Sequence, residues 1–134
     1  ELSPEDMRDV FKETYLDVEK KFDVSECHFK QKDGIGAEVT IVVDGRENVV
    51  DSHGNGRLNA VNHAIKKYFD LDYALDVYEE HALSKRSDSQ AISYVGIKPA
   101  GQEKLYWGIG TDDDIIKSSI DALVNAVNRY MEAK

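Results

Sequence analysis

The chain of 134 residues is 41% hydrophobic and 32% charged, which is enough apolar material for one folded domain and argues against disorder. Its formal net charge of −9 disfavours contact with nucleic acid phosphates or with an anionic membrane surface, so we expect neither partner. The single cysteine excludes an internal disulfide and a cysteine-based zinc site. No apolar run is long enough to span a membrane, and the polar first residues do not suggest a signal peptide.

The first segment, residues 1–24, is predicted to be a charged helix. Ser3 supplies an N-cap hydroxyl, Pro4 suits the first turn, and acidic residues follow at the positive end of the helix dipole. A single apolar stripe then recurs at helical spacing, through Met7, Val10, Phe11, Thr14 and Val18. Because one stripe leaves most of the helix polar, we expect it to pack on another part of the protein.

Three strands and one helix are predicted next. A tight-turn signal at Asp44-Gly45 separates two segments in which apolar and polar residues alternate. After Gly54-Asn55-Gly56 the period changes to that of a helix, whose apolar face includes Val61 and Ile65. The predicted elements are strands over His28–Lys32, Gly36–Val43 and Arg46–His53, the first with the weakest pattern, and a helix over Leu58–Tyr68.

The second half of the chain shows the same order of elements. On its first strand, Tyr73, Leu75 and Val77 are expected to share one face. Asp112 or Asp113 is expected to cap the last helix. The predicted elements are strands over Tyr73–Ala82, Ser89–Ile97 and Leu105–Ile109, and a helix over Ile116–Met131.

The two halves are predicted to be an internal repeat. Gly54 and Gly56 precede Gly108 and Gly110 by one constant interval, and each pair stands before a predicted helix. Each half would then be a βββα unit. Strand hairpins with helices on one face form a two-layer α+β domain, and the sheet edges could pair with each other or with a second chain.

The starts of the two predicted helices are candidate binding features. The glycines of Gly54-Asn55-Gly56 allow close backbone approach, and the N–H groups of a helix start suit a carboxylate, although a plain turn explains the same residues. Asp112, Asp113 and Asp114 at the second start could receive an ammonium group or act only as helix caps. If the two starts lie close together, they would suit an amino-acid zwitterion.

Catalysis by this chain is not expected. The histidines, His28, His53, His63 and His81, show no zinc-binding spacing, and no P-loop or nucleophile-elbow motif occurs. An enzyme usually needs an activated nucleophile or a metal, and the sequence offers neither. We therefore expect a binding domain with no cofactor and no metal.

Four stretches of sequence carry a resemblance through their order and spacing. They are Val43-Asp44-Gly45 followed by Gly54-Asn55-Gly56, then Tyr78-Glu79-Glu80-His81-Ala82, then residues 88–95, and Trp107-Gly108-Ile109-Gly110 running into residues 114–119 and Ala126-Val127-Asn128-Arg129. With them, the chain from about Cys27 to Met131 resembles the C-terminal regulatory domain of 2-isopropylmalate synthase, which senses leucine. The Glu-His-Ala and Trp-Gly-Ile-Gly stretches look like this branch and not like the citramalate synthases that sense isoleucine.

The resemblance implies two βββα units, a homodimer, and L-leucine bound between regulatory domains for feedback inhibition. Residues 1–24 resemble the tail of a linker subdomain, and residues 25–134 resemble the regulatory domain. In such enzymes a (β/α)₈ barrel with a divalent metal condenses acetyl-CoA with 2-oxoisovalerate. The chain is too short for that barrel, which needs about 250 residues. The resemblance therefore implies that the chain is the non-catalytic C-terminal part of a cytoplasmic transferase.

By position, the resemblance also implies a leucine site made of three segments. The first helix start contributes Gly54, Asn55, Gly56, Leu58 and Asn59, the pocket wall contributes Tyr78, Ala82, Ser89 and Ala91, and the second helix start contributes Thr111, Asp112 and Asp113. The chain departs from the family at Arg57, where proline is common, and at Asn59 and Ser89, where small apolar residues are common. Thr111, Asp112 and Asp113 stand at positions that vary in the family. Because the isobutyl group of leucine prefers apolar walls, these departures bear on specificity.

Three alternatives stay open at this point. The chain could be a free-standing amino-acid sensor or adaptor that acts on a separate partner. It could be the isoleucine-sensing domain of a citramalate synthase. It could also be a small enzyme that uses the Asp112 to Asp114 cluster with His81.

Overall fold

The computed structural model describes residues 20–31, 33–82 and 91–133, which form two βββα units in tandem. The first unit contains β1 (Asp23–Gln31), β2 (Ile35–Val43), β3 (Arg46–Gly54) and α1 (Arg57–Phe69). The second contains β4 (Tyr73–Ala82), β5 (Ala91–Pro99), β6 (Tyr106–Asp112) and α2 (Ile115–Ala133). The predicted α+β class and the two βββα units are confirmed. The first helix was predicted over residues 1–24, and residues 1–19 of it lie outside the described part of the chain.

Each unit forms its own antiparallel sheet, in the orders β1-β2-β3 and β4-β5-β6. Helix α1 packs on β2 and β3, and α2 packs on β5 and β6. The shared core joins both sheets to both helices and includes Val39, Ile41, Ile65, Ile97 and Leu123, all 0% exposed. No helix among residues 20–31, 33–82 and 91–133 is long and apolar enough to cross a membrane.

A β-bulge at the same place in each sheet confirms the repeat independently of the side chains. In the first sheet the register shifts between Val24 and Glu26, opposite Ile41 and Thr40 of β2. In the second sheet it shifts between Leu75 and Val77, opposite Ile97 and Gly96 of β5. An extra residue in one strand changes which residues share a face. The two bulges therefore change the facing of the side chains at equivalent positions of the edge strands β1 and β4.

The bulge in β1 also explains why its pattern was weak in the sequence. Val24 lies before the bulge, while Cys27 and Phe29 lie after it, yet all three are partly buried and pack against the core. Strict alternation cannot link positions 24 and 27, so β1 was expected only over His28–Lys32. It begins instead at Asp23, two residues inside the segment predicted as a linker.

The bulge in β4 corrects the predicted faces of that strand. Leu75 pairs with Ile97 and Tyr78 pairs with Val95, so these two side chains lie on the face that α2 covers. Val77 pairs with Gly96 and lies on the opposite face. The prediction that Val77 shares a face with Tyr73 and Leu75 is therefore wrong, and the bulge places Tyr78 there instead.

The two Gly-x-Gly stretches are not equivalent, which corrects the predicted alignment of the repeat. Gly54 ends β3 and Gly56 is the N-cap of α1. Gly108 and Gly110 instead lie inside β6, where they pack directly against α2. A Cβ at Gly110 would overlap the carbonyl oxygen of Ser118, so glycine is needed there for close packing of strand on helix.

Candidate functional site

The start of α1 is held by a side chain from its own first turn. Gly56 is the N-cap, with extended backbone (φ −151°, ψ 176°), and its carbonyl oxygen accepts the N–H of Ala60 at 2.9 Å. The Asn59 side chain turns back, and its Oδ1 accepts the N–H of Asn55 at 3.0 Å. Because glycine has no side chain, no N-cap side chain accepts the N–H groups of this turn. Such donors are what an anion site at a helix start requires.

The two glycines at this junction have different roles. A Cβ at Gly54 would lie 2.6 Å from the backbone nitrogen of Ala60, so glycine lets the end of β3 touch α1. A Cβ at Gly56 would have no atom within 4 Å. Neither residue is among the described glycines with positive φ, which are Gly34, Gly45 and Gly101. Close approach, and not left-handed backbone, explains the first glycine.

Asp114 caps α2, and not Asp112 or Asp113 as predicted. Its Oδ1 accepts the N–H of Ile116 at 2.8 Å and that of Lys117 at 3.3 Å. Asp112 supports the cap, since its own Oδ1 accepts the N–H of Asp114 at 2.9 Å. Asp113 is exposed and takes no part in these bonds. The sequence offered three consecutive carboxylates at the helix start, and only the bond pattern separates their roles.

Gly56 and Asp114 are the N-caps of the two repeated helices, yet only Asp114 carries a carboxylate. In α2 this carboxylate satisfies N–H groups of the first turn. In α1 the cap supplies nothing comparable. The start of α1 is therefore suited to a carboxylate from a ligand, while the acidic start of α2 repels anions and attracts cations.

Both helix starts border one cavity of about 560 Å³. Arg57, the first residue of α1, lines it together with Asp112 and Asp114 from the start of α2. The Arg57 guanidinium lies 5.9 Å from the centroid of the Phe29 ring. Apolar side chains of β1 and α2 complete much of the wall, among them Val24, Phe29, Ile116 and Ile120. Of the predicted site residues that the structure describes, Asp112 lines this cavity, beside the neighbouring residues Arg57 and Asp114.

Tyr78 lies beside the first turn of α2, within a cluster of hydroxyl groups. Its phenol oxygen is 2.7 Å from Ser119 Oγ and donates to Glu80 Oε2 at 2.6 Å. Ser93 Oγ lies 2.8 Å from Ser118 Oγ and 3.2 Å from Ser119 Oγ, which extends the cluster into the buried centre of the second sheet. Burial, followed by the bond to Glu80, raises the pKa of Tyr78, so the phenol stays protonated and can donate.

The strand register gathers other predicted site residues at one end of the second sheet. Ala91 of β5 pairs with Ala82 of β4 on one side and with Asp112 of β6 on the other. Thr111 stands in the next row, opposite Ile92. Leu58, in contrast, packs partly buried against the core of the domain. The predicted residue Ser89 lies outside the described residues.

One exposed apolar residue was missed by the sequence reasoning. Ile115, the first residue of α2, is 43% exposed, and Tyr78 is 41% exposed. Ser119 connects them, because its hydroxyl donates to the Ile115 carbonyl at 2.8 Å and contacts the Tyr78 phenol. No sequence signal distinguishes Ile115 from the other apolar residues of the α2 stripe, so its exposure could not be predicted.

The hydrogen bonds among the described residues do not link the loop before α1, the cap of α2 and the Tyr78 cluster to one another. The loop before α1, the cap of α2 and the Tyr78 cluster are each internally bonded. His81 stacks edge-on against Tyr94 with ring centroids 5.8 Å apart, in the row next to Asp112 and on the other face. It is therefore not placed to act with the Asp112 to Asp114 cluster. No group of three or more acidic, histidine or cysteine side chains within the described ranges could hold a metal ion.

Comparison with known proteins gives one consistent family. The model of the LeuA allosteric (dimerisation) domain matches residues 1–131. A 2-isopropylmalate synthase of Desulfitobacterium hafniense is 37% identical over 133 residues, which cover 98% of this chain and 24% of that protein. The 2-isopropylmalate synthase of Helicobacter hepaticus is 35% identical over 140 residues, which cover 98% of this chain and 25% of that protein. The chain thus spans about a quarter of the length of the curated relatives it matches.

Proposed function

Since this chain belongs to the family of LeuA allosteric (dimerisation) domains, we propose that it is the leucine-binding regulatory domain of a 2-isopropylmalate synthase. The observation that carries the proposal is the difference between the two helix starts. One repeat has an N-cap without a side chain, and the other has an N-cap carboxylate. This asymmetry suits a ligand that carries one anionic and one cationic group.

The carboxylate of the amino acid would bind at the start of α1. The first-turn N–H groups there lack a side-chain acceptor from Gly56, and the helix dipole favours negative charge at this end. Arg57 adds a positive charge at the same helix start. A carboxylate at the start of α2 would meet Asp112, Asp113 and Asp114 instead, so the ligand has one favoured orientation.

The ammonium group would face the acidic start of α2. Asp114 and Asp112 already accept backbone N–H groups through one oxygen each. Asp113 is exposed and takes no part in the cap, so both oxygens of its carboxylate are available to a cation, beside the second oxygens of Asp112 and Asp114. A charge-assisted hydrogen bond of this kind is about twice as strong as a neutral one.

The isobutyl group would pack against the exposed pair formed by Tyr78 and Ile115. These side chains offer an apolar surface beside the α2 start, and Ser119 fixes their relative position. Because the pair is open on one side in a single chain, we propose that a second copy of the domain completes the site. This agrees with the dimerisation named in the family description.

Inhibition would follow from linkage between leucine and the arrangement of two domains. Leucine bound between regulatory domains stabilises one arrangement, and the segment before β1 transmits that preference to the catalytic barrel. The coupling is reciprocal, so substrates of the barrel must change leucine affinity by the same factor. The condensation of acetyl-CoA with 2-oxoisovalerate, and the divalent metal it requires, belong to that barrel. The described residues of this chain offer no site for the metal.

Calorimetric titration with L-leucine, L-isoleucine and L-valine tests the proposal, at a concentration where sedimentation shows a dimer. We expect a selective leucine signal, together with stabilisation of about 2.7 kcal/mol at a hundredfold excess over Kd. A preference for isoleucine would place the chain in the citramalate branch. Binding of none of the three would refute the leucine-binding role.

A further inference from the structure

We propose that the apolar stripe of the N-terminal segment, residues 1–19, packs on the outer face of the second sheet. The outer face is the face of β4, β5 and β6 that points away from α2. This contact goes beyond the proposed function and does not depend on leucine. It gives a place in the domain to the stripe that the sequence shows at helical spacing, through Met7, Val10, Phe11, Thr14 and Val18.

The outer face of the second sheet has a buried apolar centre. Ile92 and Tyr94 of β5 are 0% and 1% exposed, and Ile109 of β6 is 0% exposed. They alternate along the strands with residues such as Ser93, whose hydroxyl bonds to Ser118 of α2, so the three side chains point away from α2. The core cluster that joins both sheets to both helices does not include them. They therefore form a second buried apolar group.

The sheet itself does not account for this burial. The His81 ring lies edge-on to Tyr94, and the Trp107 ring lies across Gly96, where a Cβ would be 3.3 Å from it. Side chains on one face of a sheet stand side by side, so they cannot enclose the outer ends of their neighbours. The described elements that pack on β5 are β4, β6 and α2, and α2 lies on the other face. A further layer must cover Tyr94, and because the burial is that of a single chain, this layer comes from the same chain.

The first repeat shows how the equivalent face looks in the first sheet. The two bulges align Glu38 of β2 with Tyr94 of β5. Glu38 is exposed, and so is its cross-strand partner Asp51. The second repeat holds Tyr94 and Ile109 in these positions, and both are buried. Since the two sheets are built alike, the exchange of two carboxylates for two apolar side chains indicates that the covering layer belongs to the second sheet.

Two segments outside the described ranges are candidates for this layer, residues 1–19 and residues 83–90. Residues 83–90 hold one apolar side chain, Leu83, among polar and charged ones. Residues 1–19 hold the apolar stripe, and a helix from Met7 to Val18 would be about 16 Å long at 1.5 Å per residue. Three strands spaced about 4.8 Å apart are about 10 Å across, so this stripe can cover the whole width of the sheet.

The chain enters the described structure close to the outer face. Asn128, near the end of α2, binds the backbone of Phe22. Tyr130 lies two residues further on, and its ring is 5.3 Å from that of Tyr106, the first residue of β6. The next residue, Trp107, lies on the outer face. The segment that precedes β1 therefore starts beside the end of β6 where the outer face begins.

Trp107 reports on the cover, because it is the one tryptophan of the chain and lies on the outer face. We expect Phe11→Asp to shift Trp107 emission to longer wavelength and to increase its quenching by acrylamide, since an unpaired charge cannot stay buried against the sheet. Phe11→Leu keeps the stripe apolar and should leave both signals unchanged. Lys12→Asp, a larger change of charge one residue off the stripe, is the matched control. Circular dichroism checks that the sheets are retained in each variant.

A double-mutant cycle tests the contact itself. Ile92→Val and Phe11→Ala are measured by urea unfolding, singly and together. Residues in contact are not additive, so the effect of Ile92→Val on the unfolding constant should be at least about twofold smaller in the Phe11→Ala background. Leu83→Ala in place of Phe11→Ala should give additive effects.

Three results would overturn the proposal. The first is unchanged Trp107 emission in Phe11→Asp. The second is additivity of Phe11→Ala with Ile92→Val, and coupling of Leu83→Ala with Ile92→Val would assign the cover to residues 83–90. The third is Trp107 emission that depends on protein concentration, which would assign the cover to a second copy. None of these results bears on leucine binding, so the proposed function is tested separately.

Discussion

Asn128 binds both backbone polar groups of Phe22. Its Oδ1 accepts the Phe22 N–H at 3.2 Å, and its Nδ2 donates to the Phe22 carbonyl at 3.0 Å. The same oxygen accepts the N–H of Lys21 at 2.6 Å, and Nδ2 also donates to the Val124 carbonyl at 2.9 Å. Asn128 is 0% exposed and Phe22 is 2% exposed. This clamp fastens α2 to the entry of β1.

Replacing this clamp should be costly. Asn128→Ala leaves the N–H groups of Lys21 and Phe22 and the carbonyl of Phe22 without their partner. We expect a loss of about 3 kcal/mol in the free energy of unfolding, since each buried orphan group costs about 1 to 3 kcal/mol. Urea unfolding measures the change. Asn48→Ala is the control, because its side chain makes only peripheral bonds at 3.3 and 3.4 Å, and equal losses in both variants would contradict the clamp.

Two of the three aspartates at the start of α2, Asp113 and Asp114, should have different effects when they are replaced by alanine. Asp114→Ala removes the acceptor of the Ile116 and Lys117 N–H groups, and we expect it to lower the unfolding free energy by about 1 kcal/mol. Asp113→Ala should leave stability unchanged but weaken the binding of leucine, because the Asp113 carboxylate takes no part in the cap and is proposed to bind the ammonium group of the ligand. Thermal melts and titrations of both variants distinguish these roles. A stability loss at Asp113 equal to that at Asp114 would reassign the cap.

The order of elements followed from hydrophobic periodicity, but the exact faces did not. Alternation located β2, β3 and the Asp44-Gly45 turn, whose two residues both have positive φ (52° and 77°). Alternation did not predict the bulges of β1 and β4, because one inserted residue reverses the alternation without any change in the kinds of residue present. The face of Tyr78 depends on such a bulge and so could not be read from the strand pattern.

The order of elements predicts the repeat correctly, but the glycine alignment that accompanies it is wrong. The match of Gly54 and Gly56 with Gly108 and Gly110 is a coincidence of spacing, since the second pair lies within a strand. The equivalent positions are set by strand register, which pairs Ala37 with Ser52 and Ser93 with Gly110. Register depends on contacts between distant residues, and a single sequence does not display it.

The close packing of β6 on α2 makes Gly110 sensitive to the smallest substitution. Gly110→Ala would push a methyl group into the Ser118 carbonyl and toward the Ala122 backbone nitrogen, 2.7 Å away. Backbone atoms cannot move aside as a flexible side chain can, so we expect a loss of about 3 kcal/mol. Gly36→Ala is the matched strand control, since its nearest contact would be an ordinary 3.7 Å from the Lys30 carbonyl oxygen. Similar denaturation midpoints for the two variants would contradict this account.

Asp121 should make the domain less stable at neutral pH. Burial raises its pKa above the ordinary 3.8, and so do Asp23 and Asp112, whereas Lys20 and Lys117 act in the opposite sense. The folded protein then binds more protons than the unfolded chain as pH rises above 3.8, so the unfolding free energy falls through that window and levels off above the folded pKa. We therefore expect Asp121→Asn to melt at a higher temperature at pH 7, with the advantage shrinking toward pH 3. The exposed Asp113→Asn serves as control, and an Asp121→Asn protein that melts lower at pH 7 would show that the two lysines outweigh burial.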